Sequence, residues 1–150
     1  MNNKAALNYD QTAEEILKYK EFDEQCLLEP ISEGKWSVNE IIGHLYYWDK
    51  FILGNHVPYM KEGANLNAFP DHDLHNREAI EYISVFKTTG SLIDEFVLNR
   101  RLLIEAISGI DSNAKFTIGS GKRQFTVDKY LKIFIEHDIH HLKQMNERLS

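Results

Sequence analysis

Residues 126–149, Thr126-Val127-Asp128-Lys129-Tyr130-Leu131-Lys132-Ile133-Phe134-Ile135-Glu136-His137-Asp138-Ile139-His140-His141-Leu142-Lys143-Gln144-Met145-Asn146-Glu147-Arg148-Leu149, read as one long amphipathic helix. Thr126 is a residue type that caps a helix by accepting a hydrogen bond from an early backbone N–H. Tyr130, Phe134, His137, His141 and Gln144 recur near one face, and Val127, Leu131, Ile135, Leu142 and Met145 broaden its apolar side. A helix with so wide an apolar side needs other helices to cover it. The polar residues set into that side are the informative ones. His137 and His141 are one helical turn apart, so both rings project from one face, separated by roughly 6 Å along the axis.

The rest of the chain supplies the covering helices. Tyr9, Thr12, Ala13, Ile16, Tyr19 and Lys20 trace a helical period that predicts a helix over about Tyr9 to Leu28, closed by Glu29-Pro30. Ser37-Val38-Asn39-Glu40 has the capping-box form, with Trp36 placed to staple against Ile41. The helix it opens carries Ile41, His44, Leu45, Trp48, Phe51 and Ile52 on one side and is expected to stop at Gly54-Asn55. Asp49 and Lys50 read as surface charges. Residues 56–75 form a long connection holding two of the three prolines, with one helical turn at most; connections of this length tend to cover a site. A third helical stretch runs from about Asn76 to Ser108, with a kink or break at Thr88-Thr89-Gly90-Ser91. Lys115 to Val127 reads as a small hairpin or extended loop around Gly119-Ser120-Gly121. The prediction is an all-α, up-down four-helix bundle in a single domain over 1–150, with a long loop after the second helix and a short hairpin before the last.

Composition narrows the partners. The chain has 150 residues, long enough for a sizeable core, and 43% are hydrophobic. Its net charge of -6 and lack of a basic patch argue against nucleic acid. No apolar run approaches the roughly 20 residues of a membrane span, and the N-terminal stretch lacks the apolar segment of a signal peptide. The cytoplasm is the expected location. The lone Cys26 cannot form an internal disulfide and reads as a small core residue beside Leu27 and Leu28.

Two imidazoles on one inward face are costly to bury unless something satisfies their nitrogens, and a metal ion does so for both. His44, on the inward side of the second helix, is the best candidate for a third ligand. His140 is rotated about 100° from His141 and is poorly placed to share the ion. His56, His72 and His75 read as solvated loop residues, with His72 or His75 within reach of the mouth of a site. An H-E-x-x-H protease is disfavoured, because Asp138 stands where that motif has its glutamate and no ligand follows His141.

With these histidines in view, the chain resembles the DinB-like family of small metal-binding four-helix proteins, the damage-inducible proteins of Bacillus type. Trp36-Ser37-Val38-Asn39-Glu40-Ile41-Ile42-Gly43-His44-Leu45 is similar to the family's W-S-x-x-E-x-x-x-H-L. Phe125-Thr126-Val127, followed by His137-x-x-x-His141-x-x-Gln144, is similar to its terminal helix, and Asn76 after Asp73 also looks familial. The resemblance implies that His44, His137 and His141 bind a divalent metal, zinc or nickel first, manganese or iron as further options. It also implies a small-molecule substrate and a homodimer. Some members are thiol S-transferases acting with a low-molecular-weight thiol; others resemble hydrolases. The leading expectation is a metal-dependent thiol S-transferase. The alternatives are a hydrolase using metal-bound hydroxide and a non-catalytic metal- or ligand-binding stress-response protein. Gln144, one turn past His141, is a candidate to orient a ligand or the metal environment. The catalytic residues are otherwise unassigned.

Overall fold

The computed structural model describes residues 3–150. Its helices are α1 (Asn3–Lys18), α2 (Glu24–Leu28), α3 (Val38–Phe51), α4 (His72–Tyr82), α5 (Thr89–Ser108) and α6 (Val127–Leu149). The last runs over the predicted residues, and Thr126 Oγ1 accepts from the Lys129 N–H at 3.3 Å. The Ser37 capping box is present in both directions: Ser37 Oγ accepts from Glu40 N–H at 3.1 Å, and the Ser37 N–H donates to Glu40 Oε1 at 3.0 Å.

Helices α1, α3, α5 and α6 make the expected four-helix bundle. Helix α5 packs on both α1 and α3, α1 packs on α6, and α3 meets α6 across the histidines. Neighbours in space are therefore not all neighbours in the chain, and the connections through residues 52–88 and 109–126 carry the chain between them. Two apolar clusters fill the interior. One gathers Ile16, Ile41, Leu45, Leu92, Phe96 and Met145; the other gathers Tyr9, Ile52, Leu103, Phe116, Tyr130 and Leu131.

A buried ionic layer lies between them. Arg100 Nε donates to Asp49 Oδ2 at 2.7 Å, and its Nη1 donates to Asp138 Oδ2 at 2.8 Å. Nη1 also reaches the carbonyl of Tyr9 at 3.3 Å, and the guanidinium lies 4.2 Å from the Tyr9 ring centroid. All four bundle helices thus contribute to one polar node. Asp49, expected at the surface, is instead buried, because position 49 faces α5 and Arg100 neutralises it there.

Several boundaries differ from expectation. The first helix breaks after Lys18 into a 3₁₀ turn at Tyr19–Glu21, an extended Phe22 and the short α2. Cys26 is only half-buried, while Leu27 is in the core and Leu28 is exposed. Gly54-Asn55 does not stop the second helix, which continues as a π-helical turn through Ile52–His56 and a 3₁₀ turn at Val57–Tyr59. The third helical stretch starts at His72, because the Asp71 side chain accepts from Leu74 N–H at 2.9 Å and caps it. It is split: α4 ends in a 3₁₀ turn at Ile83–Val85, and Thr88 caps α5 by accepting from the Ser91 N–H.

The hairpin reduces to one antiparallel bridge, Phe116 with Phe125. Its strand β2 (Thr117–Ile118) instead pairs in parallel with β1 (Asn65–Leu66) from the long connection. That pairing and the buried His56 fasten the connection. His56 Nε2 lies 2.7 Å from the carbonyl of Asn67, and its Nδ1 meets the Tyr130 hydroxyl. The carbonyl can only accept, so Nε2 carries the proton and Nδ1 accepts from Tyr130. His56 and His75 are therefore buried, against the expectation of solvated rings. His72 is exposed, as expected.

Gly43 allows a close approach beside His44. A Cβ there would come within 2.6 Å of the Ile83 side chain. The small residue lets the α4 end sit tightly on α3, which brings Asn76 of α4 to His44.

Candidate metal centre

The structure brings the three predicted histidines together. His44 projects from α3 and His137 and His141 from successive turns of α6. His137 Nε2 lies 3.1 Å from His44 Nε2 and 3.1 Å from His141 Nε2. All three potential ligand atoms fall within 4.8 Å of one another. His140 is exposed and stands outside the set, as expected.

The tautomers follow from the neighbours. An indole N–H only donates, so the Asn76 atom 3.3 Å from Trp48 Nε1 is an oxygen. The same Oδ1 lies 2.9 Å from His44 Nδ1, which must therefore carry a proton. That leaves His44 Nε2 as a bare lone pair pointing at the cluster. His141 is held in the same way, its Nδ1 2.8 Å from Gln144 Oε1. Each second partner orients a ring and leaves Nε2 free to bind a cation, the usual arrangement behind metal-ligating imidazoles. Two lone pairs then converge on one nitrogen of His137, which can donate only one proton. The shortfall is what a cation at the centre makes good, so the donor set fits a divalent ion.

Burial pushes His44 down to about 3 and His137 down to about 4, with the neighbouring rings adding to both shifts. Burial also lowers His141, against the bond to Gln144. All three are neutral near pH 7, the state that ligates metal.

A cavity of about 550 Å³ opens beside His44 and His137. Trp48, Phe69, Ile133 and Phe134 form its apolar walls, Asn76 and the two histidines its polar wall, and His72 and Glu136 also border it. Phe69 comes from the long connection, so that segment does cover the site. Trp48 is buried and also packs edge-on to His72, 5.4 Å between centroids. Trp36, expected as a staple, packs on the same apolar cluster as Ile41, and its ring lies 5.0 Å from that of His44.

Asn76 stands out in the sequence only through the family resemblance. Its role depends on α4 folding against α3, which no local pattern reveals. Phe69 was likewise hidden inside a connection. Trp48 is both a core residue and a wall of the cavity.

A helical bundle that gathers three neutral imidazoles beside an open, largely apolar cavity defines a class of protein with a candidate three-histidine metal centre. Within that class, the DinB superfamily model matches residues 8–145, and the chain belongs to that superfamily. A solved structure of YfiT from Bacillus subtilis, described as a probable metal-dependent hydrolase with an unusual four-helix bundle topology, is similar in fold. It superposes with a TM-score of 0.68 at 14% identity, covering 97% of this chain and 84% of that one. No curated protein matches the sequence. Among the described residues, no helix is long and apolar enough to cross a membrane.

Proposed function

We propose that this protein is a divalent-metal-dependent enzyme that joins a low-molecular-weight thiol to a small electrophile, with His44, His137 and His141 holding the ion. The supporting observation is the convergence of the three Nε2 atoms beside a largely apolar cavity that His44 and His137 border. A divalent ion held by neutral imidazoles supplies Lewis acidity, lowering the pKa of a coordinated thiol or water.

The chain's own residues do the rest. Asn76 and Gln144 hold the Nδ1 protons of His44 and His141 and so keep both Nε2 atoms aimed at the centre. Trp48, Phe69 and Phe134 exclude water and position the electrophile. Among the described residues, the one carboxylate bordering the cavity, Glu136, is solvent-exposed. Thiolate attack needs no further base once the thiol proton is lost, which favours thiol transfer over chemistry that needs a buried acid–base pair. Zinc and nickel suit an imidazole donor set, and manganese or iron are further options.

Hydrolysis is the second reading, favoured by the description of YfiT. Metal-loaded protein incubated with 1-chloro-2,4-dinitrobenzene and a small thiol tests the first reading, and p-nitrophenyl acetate without thiol tests the second. Conjugation that needs the thiol and disappears in His44→Ala is the expected result. Ester turnover without thiol that is lost in the same variant would transfer the assignment to a hydrolase. Activity unchanged in His44→Ala would remove both.

A further inference from the structure

We propose that the cavity beside the histidines takes an aryl or alkyl substrate whose outer end is neutral or cationic, and that Glu136 disfavours anionic ends. This substrate class rests on the proposed function for its chemistry, but its binding does not require the ion.

The argument begins with the walls. At about 550 Å³ the cavity has the volume of a small-molecule site. Trp48, Phe69 and Phe134 present aromatic surfaces, with Trp48 and Phe69 centroids 6.2 Å apart and Phe69 and Phe134 6.0 Å apart. Flat or extended apolar groups can lie against such a wall and bury area at little entropic cost to the protein, because these rings are already packed on one another. The polar atoms of His44, His137 and Asn76 lie together on one wall. The reacting group of the substrate therefore sits at that wall and its body lies against the aromatic side chains.

Among the described residues, no lysine or arginine borders the cavity. A phosphate, sulfonate or carboxylate on the substrate body would lose water without gaining a charged donor. Glu136 sharpens the bias. It is exposed, borders the cavity, and makes no hydrogen bond or ion pair among the described residues. Lys129 and Lys132 share with it a separate groove toward α1 and do not border this cavity. A carboxylate there attracts a cation and repels an anion.

The test uses the two indole N–H signals in a proton–nitrogen NMR spectrum. Trp48 lines this cavity and Trp36 lines a separate small cavity beside His141, so Trp36 is an internal control. Metal-free protein, in which no bound cation adds its charge to that of Glu136, is titrated with 4-phenylbutyl-trimethylammonium, 4-phenylbutanol and 4-phenylbutane-1-sulfonate, whose end groups are also poor metal ligands. The Trp36→Phe variant assigns the signals. The ammonium compound and the alcohol are expected to move the Trp48 signal. The sulfonate is expected to bind about fivefold more weakly than the ammonium compound, the size of one exposed charge contact. Glu136→Gln is expected to bring those two to within about twofold while leaving the alcohol unchanged. A sulfonate that binds wild type as tightly as the ammonium compound overturns the charge preference. No movement of Trp48 by any compound at millimolar concentration overturns the substrate class. Because the titration reads the cavity without the ion, failure to load zinc is distinguishable from failure of this inference.

Discussion

Asn76 holds His44: its Oδ1 lies 2.9 Å from His44 Nδ1 and accepts at the same time from Trp48 Nε1 at 3.3 Å. One side-chain oxygen thereby fixes the tautomer of a candidate ligand and the position of a cavity wall. Asn76→Ala is expected to weaken divalent-metal affinity about 10–100-fold, the usual cost of losing the group behind a ligating imidazole. Competition with a chromophoric chelator measures this. Asn76→Asp keeps the acceptor and is expected to recover most of the loss. If the alanine variant binds metal like wild type, the orientation of His44 does not depend on α4.

Removal of the ligands themselves has a sharper expected outcome. Purified protein carrying no metal-binding tag is expected to hold about one divalent ion per chain after loading with zinc or nickel, by elemental analysis. His137→Ala removes the nitrogen that lies 3.1 Å from both other rings and is expected to abolish stoichiometric binding. Gln144→Ala removes only the acceptor behind His141 and is expected to cost about tenfold in affinity.

The connection over the cavity hangs on His56. Burial lowers the pKa of this ring, so it is neutral and accepts from Tyr130 while donating to the Asn67 carbonyl. Tyr130→Phe leaves a buried acceptor unpaired and is expected to cost about 1–3 kcal/mol in urea unfolding. Hydrogen exchange is expected to quicken in residues 60–71. A loss of stability without faster exchange there would mean that β1 and β2 alone hold the connection.

The node of Arg100, Asp49 and Asp138 predicts opposite results for partial and complete replacement. Arg100→Met strands two buried carboxylates and is expected to destabilise by about 3–5 kcal/mol. Replacing Arg100, Asp49 and Asp138 together by Met, Leu and Leu removes all the buried charge. It is expected to be neutral or stabilising by about 1–4 kcal/mol. Chemical denaturation of the two variants checks the pair. A triple variant as unstable as the single one would show that the node contributes more than charge balance.

Legibility in the sequence followed how local each signal was. Ser37, Glu40 and Thr126 act within one turn, and the helices they cap begin where the pattern places them. His137 and His141 share a face by periodicity alone, and His44 was reachable because its helix had a clear start. Asp71 is also a local cap but directly follows Pro70 in a connection without helical periodicity, so α4 begins four residues before the pattern places it. Asp49 and Arg100 are far apart in sequence and individually look like surface charges. Only the packing of α3 on α5 turns them inward. The parallel pairing of Asn65 with Thr117 is likewise a contact between two connections, for which strand patterning of either segment gives no partner.

Acid pH provides the last test, and its sign follows from the shifts. Unfolded histidine titrates near 6.5, whereas folded His44 and His137 are held down to about 3 and about 4. Between those values the unfolded chain binds protons that the folded chain refuses. Stability of the metal-free protein is therefore complete above about pH 6.5 and falls on acidification. Each such histidine costs about 1.4 kcal/mol per pH unit until its folded value is reached. Asp49 acts in the opposite sense: burial raises it from 3.8 to about 6 despite Arg100, so the folded chain binds its proton first below pH 6. It offsets about one histidine over that interval. The net expectation from these three groups is a continuous loss of about 1.4 kcal/mol per pH unit from about pH 6.5 to pH 4, read as the urea midpoint against pH. Zinc at about 100 times its Kd adds about 2.7 kcal/mol at pH 7, a gain that fades as protons displace the ion. A metal-free midpoint that stays level from pH 7 to pH 5 would mean that the three rings are solvated and already free to protonate, against the buried arrangement on which the metal centre depends.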